Sequence, residues 1–183
     1  MSMSFLELAN KRYSVRNYRS DHVPREKIER CIEAARLAPS ACNSQPWKFI
    51  VVDEPGLKDK LAKAAFEGLT GMNRFTFKAP VLVVIVSQRQ KLSAKLGGLI
   101  KDRDFSLMDI GIAAEHFCLQ ATEEGLGTCM MGWFNEKAVK KLLSIPAARR
   151  IELIISLGIP ADDAAPTKNR KGMTQIMSWN SDM

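Results

Sequence analysis

Apolar positions recur at three- or four-residue spacing along parts of this chain and become nearly continuous along others, and that change of period lays out most of its elements. Ile28, Cys31, Ile32, Ala35 and Ala38 lie at helical spacing, while Arg25, Glu29, Arg30, Glu33 and Arg36 cover the opposite side. The pattern predicts an amphipathic helix that begins at Pro24 and stops near Ala38. Pro39 enforces the stop, because its ring disfavours an α conformation at the residue before it and it has no amide hydrogen to donate. Leu57, Leu61, Ala62, Ala65 and Phe66 predict a further helix ending before Gly68. Near the start, Ser4 and Glu7 have capping-box spacing before Leu8 and predict a short helix from about Phe5 to Lys11.

The run VLVVIVS, 81 to 87, is apolar on both faces and β-branched, as the central strand of a covered sheet would be. WKFIVVD, GTCMMGW and RIELIISLG predict further strands. Residues 104 to 124, DFSLMDIGIAAEHFCLQATEE, are helical in period and apolar around most of the circumference, with Gly125 as the terminal cap. They predict a helix buried almost all round and roughly 30 Å long, enough to span the domain or to pack along a dimer axis. Asn135 caps an amphipathic helix through Leu143. Residues 68 to 78 show no clear period, and 88 to 103, with Arg89, Lys91, Lys95, Lys101, Arg103 and two glycines, predict a solvated connection. After Gly158 a polar, proline-rich stretch leads to MTQIMSW, an apolar arm suited to reaching another subunit. The 183 residues are expected to form a single domain, with the arm beginning at about 159.

Composition narrows the function. The chain is 46% apolar and 26% charged, an ordinary globular balance. No apolar run approaches the roughly 20 residues of a membrane helix, and the N-terminus lacks the features of a secretory signal, so a cytoplasmic location is expected. The net charge of +7 is scattered among acidic residues, which suits a small anionic ligand better than nucleic acid. Cys31, Cys42, Cys118 and Cys129 are dispersed and join only His22 and His116 as possible ligands. No metal site is expected, and the cysteines read as small hydrophobes. His116 reads as a hydrogen-bonded core histidine. Dinucleotide-fold, P-loop and serine-hydrolase motifs are missing, so any chemistry belongs to a bound cofactor.

Four stretches could hold one. In RYSVR, an extended backbone would put Arg12, Ser14 and Arg16 on one face as an anion clamp; the bland alternative is a solvated basic helix end. In PSACNSQP, 39 to 46, small side chains with Ser40, Asn43, Ser44 and Gln45 could meet the mixed hydrogen-bonding edge of a planar ring, or simply make a turn. In GLGTCMMGW, Gly132 removes a side chain between Met131 and Trp133, leaving either a stacking surface or a structural strand. TKNRKG offers Lys168, Arg170 and Lys171 as a second anion contact or as a solvated loop.

RYSVRNY, AARLAPSACNSQPWKFIVV, GLGTCMMGW and KNRKGMTQI, taken in this order, resemble the FMN-dependent nitroreductase family across nearly the whole chain. The resemblance implies an α+β fold, a mainly antiparallel sheet surrounded by helices, in an interlocked homodimer with FMN at the subunit interface. It implies phosphate and ribityl contacts from Arg12, Ser14 and Arg16, backbone contacts from Tyr13, and closure by Arg170 with Lys168. Pro39, Ser40 and Asn43 would be wall contacts to the partner's flavin, with Ala41 where relatives can carry a second serine. Met131, Gly132 and Trp133 would lie near the isoalloxazine, and Asn73, with Arg74, is a candidate for its polar edge. NADH or NADPH would deliver hydride to flavin N5 and leave, and a small-molecule acceptor such as a nitroaromatic or quinone would then collect it. No catalytic side chain is implied. Reductive dehalogenation, enone reduction, flavin breakdown and a non-catalytic flavin-binding module are the alternatives, with the differences expected in a lid at 68 to 103.

Overall fold

The computed structural model describes residues 3–67, 73–88, 104–162 and 166–181. Helix α1, Phe5–Lys11, starts on the expected capping box: Glu7 N donates to Ser4 Oγ at 3.3 Å and Ser4 N to Glu7 Oε2 at 2.7 Å. Helix α2, Arg25–Arg36, begins directly after Pro24 and ends before Pro39. Strand β1, Trp47–Val52, leads into helix α3, Pro55–Phe66, whose first amides are capped by Glu54. Strand β2 is Val81–Ser87 and helix α4 is Phe105–Glu123. Strand β3, Gly127–Met131, is followed by helix α5, Glu136–Leu142, capped by Asn135 as expected, and then by strand β4, Ile151–Gly158. A short helix α6, Met173–Ile176, lies in the C-terminal arm.

The four strands form one antiparallel sheet in the order β1-β2-β4-β3, so the continuously apolar β2 is interior, as its composition predicts. Strand alternation divides its side chains between two cores. Val81, Val83 and Ile85 pack with Ile28, Cys31 and Ala35 of α2 and with Ile110, Ala113, Ala114 and Phe117 of α4. Leu82, Val84 and Val86 pack on the other face with Leu61, Ala62, Ala65 and Phe66 of α3 and Val139 of α5. The fold class is therefore α+β, helices on both faces of an antiparallel sheet.

Helix α4 corrects one expectation. Ile110, Ala113, Phe117 and Ala121 are buried, but Leu107, Met108 and Ile112 are exposed within the chain. Apolar residues around most of its circumference implied burial all round, whereas one chain covers a single face. Cys42 is also exposed, while Cys31, Cys118 and Cys129 are buried and fit the small-hydrophobe reading; burial pushes the Cys31 and Cys118 thiols up to about 12. His116 is half-buried, with Nδ1 2.9 Å from the Ile112 carbonyl. Among the described residues no helix is long and apolar enough to cross a membrane, and no group of three or more His, Cys, Asp or Glu is placed to hold a metal. The expected connection beyond Gln88 and most of the expected lid lie outside the described residues.

Ion pairs and one backbone hydrogen bond link the helices to one another and to the strand ends. Lys140 and the Ile151 amide hold the Glu136 carboxyl below its usual range, Arg30 does so for Glu124, and Arg25 for Asp53. A depressed carboxylate contributes stability that is present above its unfolded pKa and lost as pH falls through the native value. Thermal melts are therefore expected to be flat near neutrality and to drop below about pH 4.5. Glu136→Gln should shrink that acid-side slope.

Candidate functional site

The segment after α1 runs extended along the sheet edge. Ser14 bridges Thr128 in parallel, Val15 N donates to the Thr128 carbonyl at 2.9 Å, and Arg19 N donates to the Ile159 carbonyl at 2.9 Å. Alternation follows from that conformation: Val15 is buried at 1% exposure while Ser14 and Arg16 are exposed and Arg12 is half-buried. Tyr18 fixes the segment from beneath. Its hydroxyl donates to the Val15 carbonyl at 2.8 Å and accepts from Ser156 Oγ at 2.8 Å, all within the core, and burial pushes its pKa far above the ordinary phenol value. Tyr18→Phe keeps the ring against Phe75 but leaves the Val15 carbonyl buried without that donor. A stability loss of about 1–3 kcal/mol is expected in denaturant titration.

The three glycines of GLGTCMMGW do not share one reason. Gly125 has φ +77° and ends α4 in the left-handed conformation that glycine adopts without strain. A Cβ on Gly127 would stand 2.4 Å from Val15 Cγ2, so the glycine is what lets the extended segment lie against β3. At Gly132 an added Cβ would meet nothing within 4 Å. Packing and backbone explain the first two and leave Gly132 unexplained. Trp133 beside it is exposed, whereas Met131 is 4% exposed and packs into the α3/α5 core. The expectation that Met131 offers a stacking face is corrected: alternation along β3 sends its side chain inward.

Cations gather at the clamp from both ends of the sequence. Arg12 Nε lies 3.1 Å from Glu115 Oε1 of α4, a charge contact whose N–H is not aimed at the carboxylate. Lys168 Nζ donates to the Ala9 carbonyl at 2.6 Å, which anchors the C-terminal segment beside α1. Burial and the positive charges of Arg12 and Arg170 hold the Lys168 ammonium below its usual range, with Glu115 opposing them. The charges of Arg12 and Arg170 thus both act on Lys168, with Glu115 as an acidic neighbour. Arg16, on the same strand face, reaches the Ser14 carbonyl at 3.5 Å.

The wall loop is built separately. Ala41–Asn43 form a 3-10 turn, and Cys42, Asn43 and Gln45 have φ of 52°, 50° and 46°, a left-handed conformation that costs a non-glycine residue roughly 1–2 kcal/mol. Gln45 N donates to Ser40 Oγ at 3.0 Å and Gln45 Nε2 to Asn43 Oδ1 at 2.7 Å. A long-range partner of the turn is Asp109 of α4, which sequence reasoning missed; a lone acid at a buried helical position was the available signal. Pro39 is exposed and Ser40 half-buried. Asn73 is half-buried in the left-handed conformation, its carbonyl accepting from Thr76 N and Oγ1, and Arg74 beside it is exposed.

Among the described residues, the buried side-chain polar atoms with no hydrogen-bond partner are Arg12 Nε, Tyr13 Oη and Ser44 Oγ. Native interiors pair nearly all such atoms, and all three fall in the two polar motifs singled out from sequence. Unmet donors, clustered cations and an open glycine are together suited to a phosphate-bearing planar ligand.

A family model described as Nitroreductase family matches residues 9–74 and 69–159. The chain is 31% identical to iodotyrosine deiodinase 1 of Mus musculus, over 96% of this chain and 69% of that protein. It is 29% identical to an NADH dehydrogenase of Thermus thermophilus, over 93% of each. Among solved structures, an FMN-dependent nitroreductase from Clostridium difficile has a TM-score of 0.77 at 26% identity, covering 97% of this chain and 99% of that one.

Proposed function

Because the chain belongs to the nitroreductase family, we propose that it is an FMN-dependent oxidoreductase taking electrons from cytoplasmic NADH or NADPH and giving them to a nitroaromatic, quinone or similar small acceptor. The observation that carries this reading is the cationic neighbourhood in which Arg12 and Arg170 both act on Lys168, Lys168 is tied to Ala9 of α1, and Arg12 Nε is buried without an aligned acceptor.

The residues fit the group in kind. Arg12, Ser14, Arg16, Lys168 and Arg170 would hold the FMN phosphate and ribityl chain, Arg12 and Arg16 through guanidinium forks that match phosphate geometry. The backbone of Tyr13 and Met131, the bare Cα of Gly132 and the exposed Trp133 would border the ring, with Asn73 toward its polar edge. FMN bound there supplies two-electron hydride chemistry between the nicotinamide donor and the acceptor. The chain's own part is to bind, orient and neutralise charge, and backbone amides near the ring's polar edge would favour its reduced anionic form. In a titration, FMN affinity is expected to fall steeply between low and physiological salt; salt-independent binding would count against the clamp.

The whole chain acts as a single domain in a homodimer. Leu107, Met108 and Ile112 on α4 and Met173, Ile176, Met177 and Trp179 on the arm are exposed in one chain, apolar side chains that a partner subunit would cover. The arm from about 159 would cross to the partner, and Pro39, Ser40, Ala41 and Asn43 would close the partner's flavin site. Light scattering coupled to gel filtration is expected to give twice the 20.4 kDa chain mass, and a monomer at micromolar concentration would contradict this arrangement.

Reductive dehalogenation is the second reading, favoured by the 31% identity to a deiodinase along nearly the whole chain. Steady-state turnover of nitroaromatic, quinone and halogenated phenol acceptors separates the two. A halophenol preference would move the assignment to dehalogenation.

A further inference from the structure

Asp109 is a carboxylate 5% exposed in the middle of an otherwise apolar stretch of α4. Burying such a charge is unfavourable unless its hydrogen bonds return the lost hydration, so its partners indicate what it is for. Both carboxylate oxygens lie 3.1 Å from one donor, the backbone amide of Ala41. That amide opens the 3-10 turn in which Cys42 and Asn43 are left-handed, with Gln45 left-handed two residues on. Further hydrogen bonds of the turn, Asn43 N to the Ser40 carbonyl, Ser44 N to the Ala41 carbonyl and Gln45 N to Ser40 Oγ, are local. These fix the turn's internal shape, while the bond to Asp109 ties its first amide to α4.

We propose that Asp109 is the positioning residue of the wall loop: its buried charge pins the Ala41 amide to α4 and so sets where Ser40, Asn43 and the unpaired Ser44 hydroxyl are presented to the flavin. This rests on the FMN reading above. The strained backbone gives the reason a charge is used. A loop with several left-handed non-glycine residues relaxes unless its surroundings over-determine it, and a charge-assisted bond from a rigid helix is the stronger kind of tether. The same helix offers Leu107, Met108 and Ile112 to solvent beside Asp109. Loop placement and the proposed dimer face therefore share one rigid element.

The test compares wild type, Asp109→Ala and Asp109→Asn by hydrogen exchange of the 39–46 segment, by FMN titration, and by the visible circular dichroism of bound FMN. Asp109→Ala is expected to speed exchange in the segment, weaken FMN by about tenfold or more and alter the flavin dichroism, the loss fitting one charged hydrogen bond. Asp109→Asn keeps one acceptor oxygen, so its loss is expected near threefold. A purely structural Asp109 would lower the melting temperature and leave affinity and dichroism of the folded protein unchanged, which overturns the proposal. If Asp109→Ala does not fold, Asp109→Asn decides: a shift in both exchange and affinity supports it, and wild-type values in both overturn it. Wild-type protein that holds no FMN would instead contradict the flavin reading. Exchange then decides alone, faster exchange in the variant supporting the tether and unchanged exchange overturning it.

Discussion

Arg16→Ala is expected to weaken FMN binding by roughly 10- to 150-fold, the equivalent of about 1.5–3 kcal/mol for a hydrogen bond to a charged group. Arg16 is exposed on the open face of the extended segment and, among the described residues, its side chain reaches the Ser14 carbonyl at 3.5 Å. Its removal should therefore leave the fold intact, with a melting temperature within a degree or two of wild type in the absence of flavin. Arg12→Ala should show a loss of the same order and a shallower salt dependence, but with a small stability change, because Arg12 also faces Glu115. Lysine at either position should recover less than the full loss, since a point charge lacks the planar fork. Flavin titration at low salt gives the affinities. Unchanged affinity in Arg16→Ala would remove it from the clamp.

The second large effect separates two glycines five residues apart. Gly127→Ala would place a Cβ 2.4 Å from Val15 Cγ2 and 2.9 Å from Val15 Cβ. Val15 is buried and stiff at χ1, and it sits between Ser14 and Arg16. The expected result is overpacking of about 1–3 kcal/mol or more, roughly 2–4 °C of Tm for each kcal/mol, together with poorer FMN binding because the clamp strand is pushed off β3. Gly132→Val adds a larger side chain where one would meet no protein atom within 4 Å of its Cβ. Its Tm is expected to stay at the wild-type value while FMN affinity falls at least tenfold. If the Gly132 variant binds FMN normally, the ring does not lie over that strand end.

The pair shows what the sequence could and could not carry. GLGTCMMGW reads as a glycine-rich strand, but the reason for Gly127 depends on Val15 approaching from more than a hundred residues away. Local rules did better where the cause is local. The capping box at Ser4 and Glu7 and the Asn135 cap stand where spacing put them. The β-branched run at 81–87 is the interior strand its composition implies.

Errors arose where tertiary packing decides. Helix α4 was expected to be buried all round, yet Leu107, Met108 and Ile112 are exposed in one chain. Met131 turns into the core because β3 alternates and its neighbour β4 fixes the register, Met131 opposite Ile154. Asp109 and the Tyr18–Ser156 pair were not anticipated, since each matters through a partner far away in sequence: the Ala41 amide for Asp109 and the Ser156 hydroxyl for Tyr18. Lys168 was legible as a cation in a late loop. Its convergence with Arg12 required the Ala9 carbonyl that tethers it.

The central claim is that this chain holds FMN in the arginine clamp and passes electrons through it. It is tested most directly by the visible spectrum of the protein, loaded with FMN, desalted, and then treated anaerobically with NADH or NADPH. The expected result is a flavin band that survives desalting and bleaches on adding the nicotinamide donor. A colourless protein after desalting, or a retained band that neither donor bleaches, would contradict it.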